Sequence, residues 1–371
     1  MATNLSHGGP NINPSSQPDN ALLVATVDGV VKLQRTAPGA PWKESAHWLQ
    51  GKHVAAIMQE PTRGILFAGT HGQGLHSSDD GGETWQVRAR GLVSEHIYSM
   101  NCVQSGGKVL LYAGTEPANL HVSEDLGATW RVLPSVRLAP SIAGWRFPAP
   151  PHSAHLKSIG FDPRSADTIY ASVEVGALLK STDAGATWRE LTGEGTGLYE
   201  DVHRVAITAS DPDHVYTATG NGIYHSRDAG DSWERLTDQS LRVGYPDALI
   251  LHPERPGLLF TAGALIWPRD WSKVGSADPR IMRSTDGGKT WEVIDHGLPE
   301  HLHGNIEAMV MNVWPGGFAL FAGTTDGDVF ASEDGGDTWS TIAAGLPAVS
   351  KTSHYQGLER LKLQHAAEQE L

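Results

Sequence analysis

An eight-residue pattern, Ser-x-Asp-x-Gly-x-Thr/Ser-Trp, recurs six times along the 371-residue chain and constrains its fold more than any other feature. The copies are "SDDGGETW" ending at Trp85, "SEDLGATW" at Trp130, "STDAGATW" at Trp188, "SRDAGDSW" at Trp233, "STDGGKTW" at Trp291 and "SEDGGDTW" at Trp339. A degenerate seventh copy, "RTAPGAPW", ends at Trp42 and keeps only the Gly and the Trp. Successive Trp residues stand 43, 45, 58, 45, 58 and 48 positions apart, which makes the chain an array of units of about 45 residues.

Each copy has the chemistry of a hairpin loop. Ser and Asp side chains bond nearby backbone amides, Gly takes a positive-φ position, and Trp covers the turn with apolar surface. The flanks alternate as strands do: "HVAAIMQE", "GILFAGT" and "GLHSS" precede the box at Trp85, and "WQVRARG" follows. Four strands per unit make one propeller blade, and seven units make a seven-bladed all-β propeller. The 42 Gly and 22 Pro agree with a fold of many turns and few long helices.

The pattern resembles the Asp-box of sialidase-like, BNR-repeat propellers, and the resemblance spans residues of about 20 to 360. It implies that the boxes join third to fourth strands on the face opposite an active site, so they mark the fold and leave the chemistry open. The first unit enters at "ALLVATVDG", equivalent to a second strand, so an innermost strand is missing there. The C-terminal "SKTSHYQGL" is expected to supply it, sealing the ring by pairing N- and C-terminal strands. Residues 1–19 then read as a loose arm, 20–362 as the propeller and 363–371 as a tail.

A second periodicity concerns chemistry. Inner strands of a propeller start near the axis, and here those starts carry His354, His53, His96, His155 and His203, followed by Asp247 and Asn305. Tyr245, His303 or Glu307 are alternatives for the last two places. Clustered imidazoles depress one another's charge and need partners for their nitrogens, which a divalent Fe, Cu or Zn ion bound by the five His would provide. Three second-to-third-strand connections lack the tight-turn dipeptides of the others and carry His71, Glu116 and Glu174. Glu116 and Glu174 are candidate acceptors for the ligand histidines or a general base, His71 is a further ligand or an acid, and Asp247 joins them as a candidate catalytic residue.

The two 58-residue steps place insertions at residues 131–153 and 263–281 on the histidine face. Trp145, Arg146 and Phe147 in the first, with Trp267, Arg269 and Trp271 in the second, are candidate substrate contacts. A net charge of −14 argues against nucleic acid or a membrane surface as partner. The start has no apolar leader and Cys102 is the single cysteine, so a cytoplasmic protein acting on a small molecule is expected. A sialidase needs three arginines at the inner-strand starts, and only Arg204 is there. The preferred expectation is an oxygen-activating or redox metalloenzyme. A metal-assisted hydrolase or lyase, including a glycoside-type one with a Glu base, and a non-enzymic scaffold like the photosystem assembly factors are the alternatives.

Overall fold

The computed structural model describes residues 2–193, 195–237 and 241–351, together with His354 and Gln356. Its strands form seven sheets arranged as a ring, each with four antiparallel neighbours except where the N-terminal segment joins. The inner strands of blades 2 to 7 are Val54–Gln59, His96–Ser105, His155–Asp162, Val202–Ile207, Tyr245–Leu251 and Ile306–Trp314. Alternating residues of facing blades fill the space between sheets, as with Leu156, Ile159 and Ala171 of blade 4 against Tyr112, Leu120 and Val122 of blade 3.

The boxes fold as their chemistry requires. In the first, Ser78 Oγ accepts from Gly82 N at 2.8 Å and donates to Asp80 Oδ1 at 2.7 Å, while Thr84 donates to Asp80 through its amide (2.9 Å) and hydroxyl (2.6 Å). The same four bonds recur in the box at Trp130. Two successive residues take positive φ, at Leu126 (56°) and Gly127 (78°), which is the backbone of a type I′ turn. Trp130 then reaches the preceding blade, where its Nε1 donates to the carbonyl of Arg88 at 2.8 Å. The box at Trp130 is thus both a turn and an inter-blade clasp, whereas Trp85 and Trp291 donate within their own boxes, to Gly82 O and Gly288 O.

Ring closure differs from the expectation. The innermost place in blade 1 is taken by Thr3–Leu5, which runs parallel to Leu22–Val24, and not by the C-terminal segment. Residues 1–19 are no loose arm: residues 3–9 are buried, and Ile12–Pro14 adds a fifth strand inside blade 7, parallel to Met311–Val313. Between these strands the segment threads the axis. Gly8 bonds Ala55 O and Met100 N, Arg204 donates to the carbonyls of His7 and Gly9, and Asn11 Nδ2 donates to Leu249 O at 2.6 Å. Blades 2, 3, 5, 6 and 7 are all touched. A segment poor in apolar residues suits this place, because the inner strands expose backbone groups that need polar partners.

The C-terminal segment acts above the plug. Leu346 N, Val349 N and Ala348 O bond Gly327, Thr324 and Val27, tying blade 7 to blade 1. This brings Ser350 and Lys351, both buried, to the head of the axis. The rest of the "SKTSHYQGL" expectation, apart from His354 and Gln356, lies outside the described residues.

Candidate functional site

The head of the channel is built by strand register. His155 faces Glu174 and His96 faces Glu116 as cross-strand partners in blades 4 and 3, so each pair shares one side of its sheet. The boxes lie at the other end of these strands, since the third strand of blade 3 pairs through Ser123 with Leu111, far from Glu116.

At the centre stand two lysines that the sequence reading overlooked. Lys157 Nζ lies 3.0 Å from Glu174 Oε1 and 3.1 Å from Asp247 Oδ1, and Lys351 Nζ lies 2.9 Å and 2.5 Å from the same two oxygens. All four side chains are buried. Burial opposes the charge of every member. For Glu174 the two ammoniums and His155 win, holding its carboxyl well below the usual range, and Asp247 is likewise depressed by Lys351, Lys157 and His203. Burial also acts against Lys351, yet Asp247 and Glu174 raise it well above an ordinary lysine, while Lys157 is pulled down by burial and by its neighbour's charge.

Four of the five imidazoles surround this centre with separate partners, and His96 stands to one side. His155 Nε2 donates to Glu174 Oε2 at 2.5 Å and its ring stacks on Tyr98 with 3.6 Å between centroids. His203 Nδ1 donates to the carbonyl of Pro246 at 2.7 Å, and His53 Nε2 to that of Ser350 at 2.8 Å. His354 Nδ1 lies 2.7 Å from Glu307 Oε1, whose other oxygen accepts from Ser350 Oγ and Lys351 N. Burial lowers His53 to about 4. Of the alternatives for the ring, Asn305 donates to Asp247 Oδ2 at 2.8 Å and Glu307 faces the centre, whereas His303 turns aside to Asp326. The set does not converge on one point: ammoniums and backbone carbonyls stand where a shared ion was expected.

To one side, between blades 2 and 3, His71, His96 and Glu116 form a second group. His71 and His96 are bridged by backbone pairing, with ring centroids 4.7 Å apart. Glu116 Oε2 lies 3.8 Å from His71 Nε2 and 3.5 Å from His155 Nδ1. Burial pushes the Glu116 carboxyl up, but these imidazoles outweigh it and bring it down to about 2.

The inserted loops divide their residues. Trp271, on the helix Pro268–Val274, is buried, donates to Ile266 O at 2.9 Å and packs edge-on against His354, so it anchors the loop and does not face a ligand. Trp145 is partly covered, bonded to Ser141 Oγ at 2.8 Å. Phe147 stands 5.0 Å from the His155 ring, and Trp267 packs near Tyr199 and Tyr245 with the Arg269 guanidinium 5.1 Å above it. Arg146 and Arg269 are exposed. Phe147, Trp267 and these arginines form the reachable rim.

Ring and boxes together define a seven-bladed Asp-box (BNR-repeat) β-propeller. The family model for the photosynthesis system II assembly factor YCF48 matches residues 36–210, and the BNR/Asp-box repeat model matches residues 282–293. Among curated proteins, the xyloglucanase Xgh74A of Acetivibrio thermocellus is 28% identical over 182 residues, 40% of this chain and 20% of its own length. A xyloglucanase of Hypocrea jecorina is 25% identical over 185 residues, 41% of this chain and 21% of its own. The chain therefore spans about one fifth of these relatives. Among solved structures, an ancestral GH74 enzyme superposes with TM-score 0.59 at 18% identity, over 84% of this chain and 40% of that one. YCF48 from Cyanidioschyzon merolae superposes with TM-score 0.55 at 14% identity, over 85% of this chain and 96% of that one. These similarities overturn the expectation of an oxygen-activating metalloenzyme, since the matched proteins are xyloglucanases and an assembly factor.

Proposed function

We propose that this propeller is a non-enzymic binding module, a scaffold whose ligand docks across the rim of Phe147, Trp267, Arg146 and Arg269. One observation carries the reading: the two central carboxylates, Glu174 and Asp247, are each paired with two buried ammoniums, and the channel beneath them is filled by the chain's own N-terminal segment. Glycoside hydrolysis needs a protonated carboxyl to supply the leaving oxygen and a second carboxylate to act on sugar or water. Glu174 and Asp247 are buried and held ionised by two ammoniums, and Glu116 is ionised down to about 2, so none of the three is a proton donor at neutral pH. The match to the assembly-factor model supports this reading, as does the similarity to the YCF48 structure, 96% of which this chain covers.

The glycosidase reading rests on the xyloglucanase similarity and is separable by assay. Purified protein incubated with xyloglucan and with aryl β-glucosides is expected to release sugar no faster than Glu116→Gln or Glu174→Gln protein. Turnover that either substitution abolishes would refute the scaffold reading. In affinity capture from the native lysate, the parent is expected to retain a partner that a Trp267→Ala/Arg269→Ala variant loses.

A further inference from the structure

We propose that His71, His96 and Glu116 form a site for one divalent cation of the zinc type, linking blades 2 and 3 at the rim. The inference is independent of the scaffold reading. One ligand atom from each residue lies within 4.8 Å of the other two. The backbone fixes them: His71 N donates to His53 O at 2.8 Å, Gly72 N and Gly74 N donate to Glu95 O, and His96 lies in register with Glu116. Three donors from two blades are therefore positioned by strand pairing and not by side-chain preference.

The polar atoms of this group are left over by the rest of the fold. His71 Nε2 and His96 Nδ1 are both shielded from solvent and have no hydrogen-bond partner, although an ionised carboxylate is beside them. Buried polar nitrogens without partners are rare and call for an explanation. The separation supplies one. At 3.8 Å, Glu116 Oε2 and His71 Nε2 are too far apart for a hydrogen bond and too close for an intervening water. Two metal bonds of about 2.1 Å meeting near the tetrahedral angle span about 3.4 Å, so a small inward movement satisfies both.

The donor set narrows the ion. Two imidazole nitrogens with one carboxylate oxygen suit zinc and similar first-row ions, whereas calcium and magnesium prefer oxygen donors. His53, whose ring is 5.5 Å from that of His71 and whose Nε2 is bonded to Ser350 O, does not bring a nitrogen into the mutual reach that the three donors share. Among the described residues a second cluster of possible ligands, Glu174, His203 and Asp247, has its carboxylates already paired with the two lysine ammoniums, whose charge opposes a cation. The His71 side chain is a quarter exposed while its Nε2 is shielded, so the site lies just beneath the rim, and a water would complete a four-coordinate cation there.

Tag-free full-length protein stripped with a chelator would be titrated with Co(II), following visible absorption, then with Zn(II) as competitor, with melting temperature recorded alongside. The expected result is one equivalent of Co(II) with a tetrahedral-type band, displaced by Zn(II), and a raised melting temperature. His71→Gln, His96→Gln and Glu116→Gln each should weaken binding about tenfold or more, while His53→Gln leaves it unchanged. No band and no melting shift in the parent at millimolar metal overturns the proposal, whatever becomes of the variants. A band that persists undiminished in all three folded variants overturns it equally, placing the metal elsewhere.

Discussion

Lys351 is the residue whose removal should be felt most. It arrives on the segment after the last blade, is wholly buried, and its ammonium bridges Glu174 and Asp247. In Lys351→Met the side chain keeps a similar length but the charge is gone, so one ammonium, Lys157, faces two buried carboxylates. Breaking one partner out of a buried ionic group costs about 3–5 kcal/mol, because the charges left behind have no water to turn to. With an unfolding entropy of about 2.1 cal/mol/K per residue, a chain of this size should lose roughly 4–6 °C of melting temperature. Differential scanning calorimetry at neutral pH measures it. Asp247→Asn added to Lys351→Met should recover part of the loss, with a coupling of about 0.5–3 kcal/mol in the double-mutant cycle. A single variant melting within a degree of the parent, or a double variant showing additive losses, would refute the claim that the centre is held by charge compensation.

Gly8 is packed so that an added Cβ would lie 2.0 Å from the carbonyl oxygen of Tyr98, so Gly8→Ala should dislodge the axial segment at a cost of about 1–3 kcal/mol. Limited proteolysis should then cut within residues 2–14 faster than in the parent, and an unchanged digestion pattern would sink the idea. Trp130→Ala removes a buried indole that clasps the preceding blade and should cost about 3–5 kcal/mol in urea unfolding; a loss under about 1 kcal/mol would show that the clasp is dispensable. The box carboxylates of Asp80, Asp183 and Asp286 are brought to about 2 by the Thr hydroxyls and amides that bond them. Their folded pKa values lie below the ordinary 3.8, so the stability they contribute is complete above that pH and is lost as the pH falls through about 2. Melting temperature should drop across that window, and less steeply in Asp80→Asn; equal slopes would count against it.

The boxes made the blades legible because the bonds of the turn are local: the Ser, Asp, Gly and Thr partners lie within four residues of one another, and the turn logic needs no knowledge of the rest of the chain. The cross-strand contact of His155 with Glu174 was also within reach, since one opens an inner strand and the other closes the next. The two lysines were missed because a buried lysine is rare and reads as a solvated surface group. A weak signal existed for Lys157, which stands two residues after His155, but it occupies a bulge between Leu156 and Ser158, where strand alternation breaks down. None existed for Lys351, whose place depends on a segment folding back across the ring. The stretch "MATNLSHGGPNINPSSQPDN" misled for a different reason: low hydrophobicity and many Gly, Pro and Ser imitate a disordered arm. Here the narrow channel selects small and hydrogen-bonding residues, and that requirement comes from the other six blades.

The axial segment also sets a timetable. Asn13 and Asn312 are bonded across 299 positions, so one strand of this pair leaves the ribosome almost a full chain length before the other exists. At about 5–20 residues per second the wait is roughly 15–60 s, during which residues 12–14 can find no native partner in blade 7. Blades 2 to 6 can form from neighbouring sequence in the meantime. The last step is then a threading and locking event of high sequence separation, which places the slowest part of folding at the seam between blades 7 and 1.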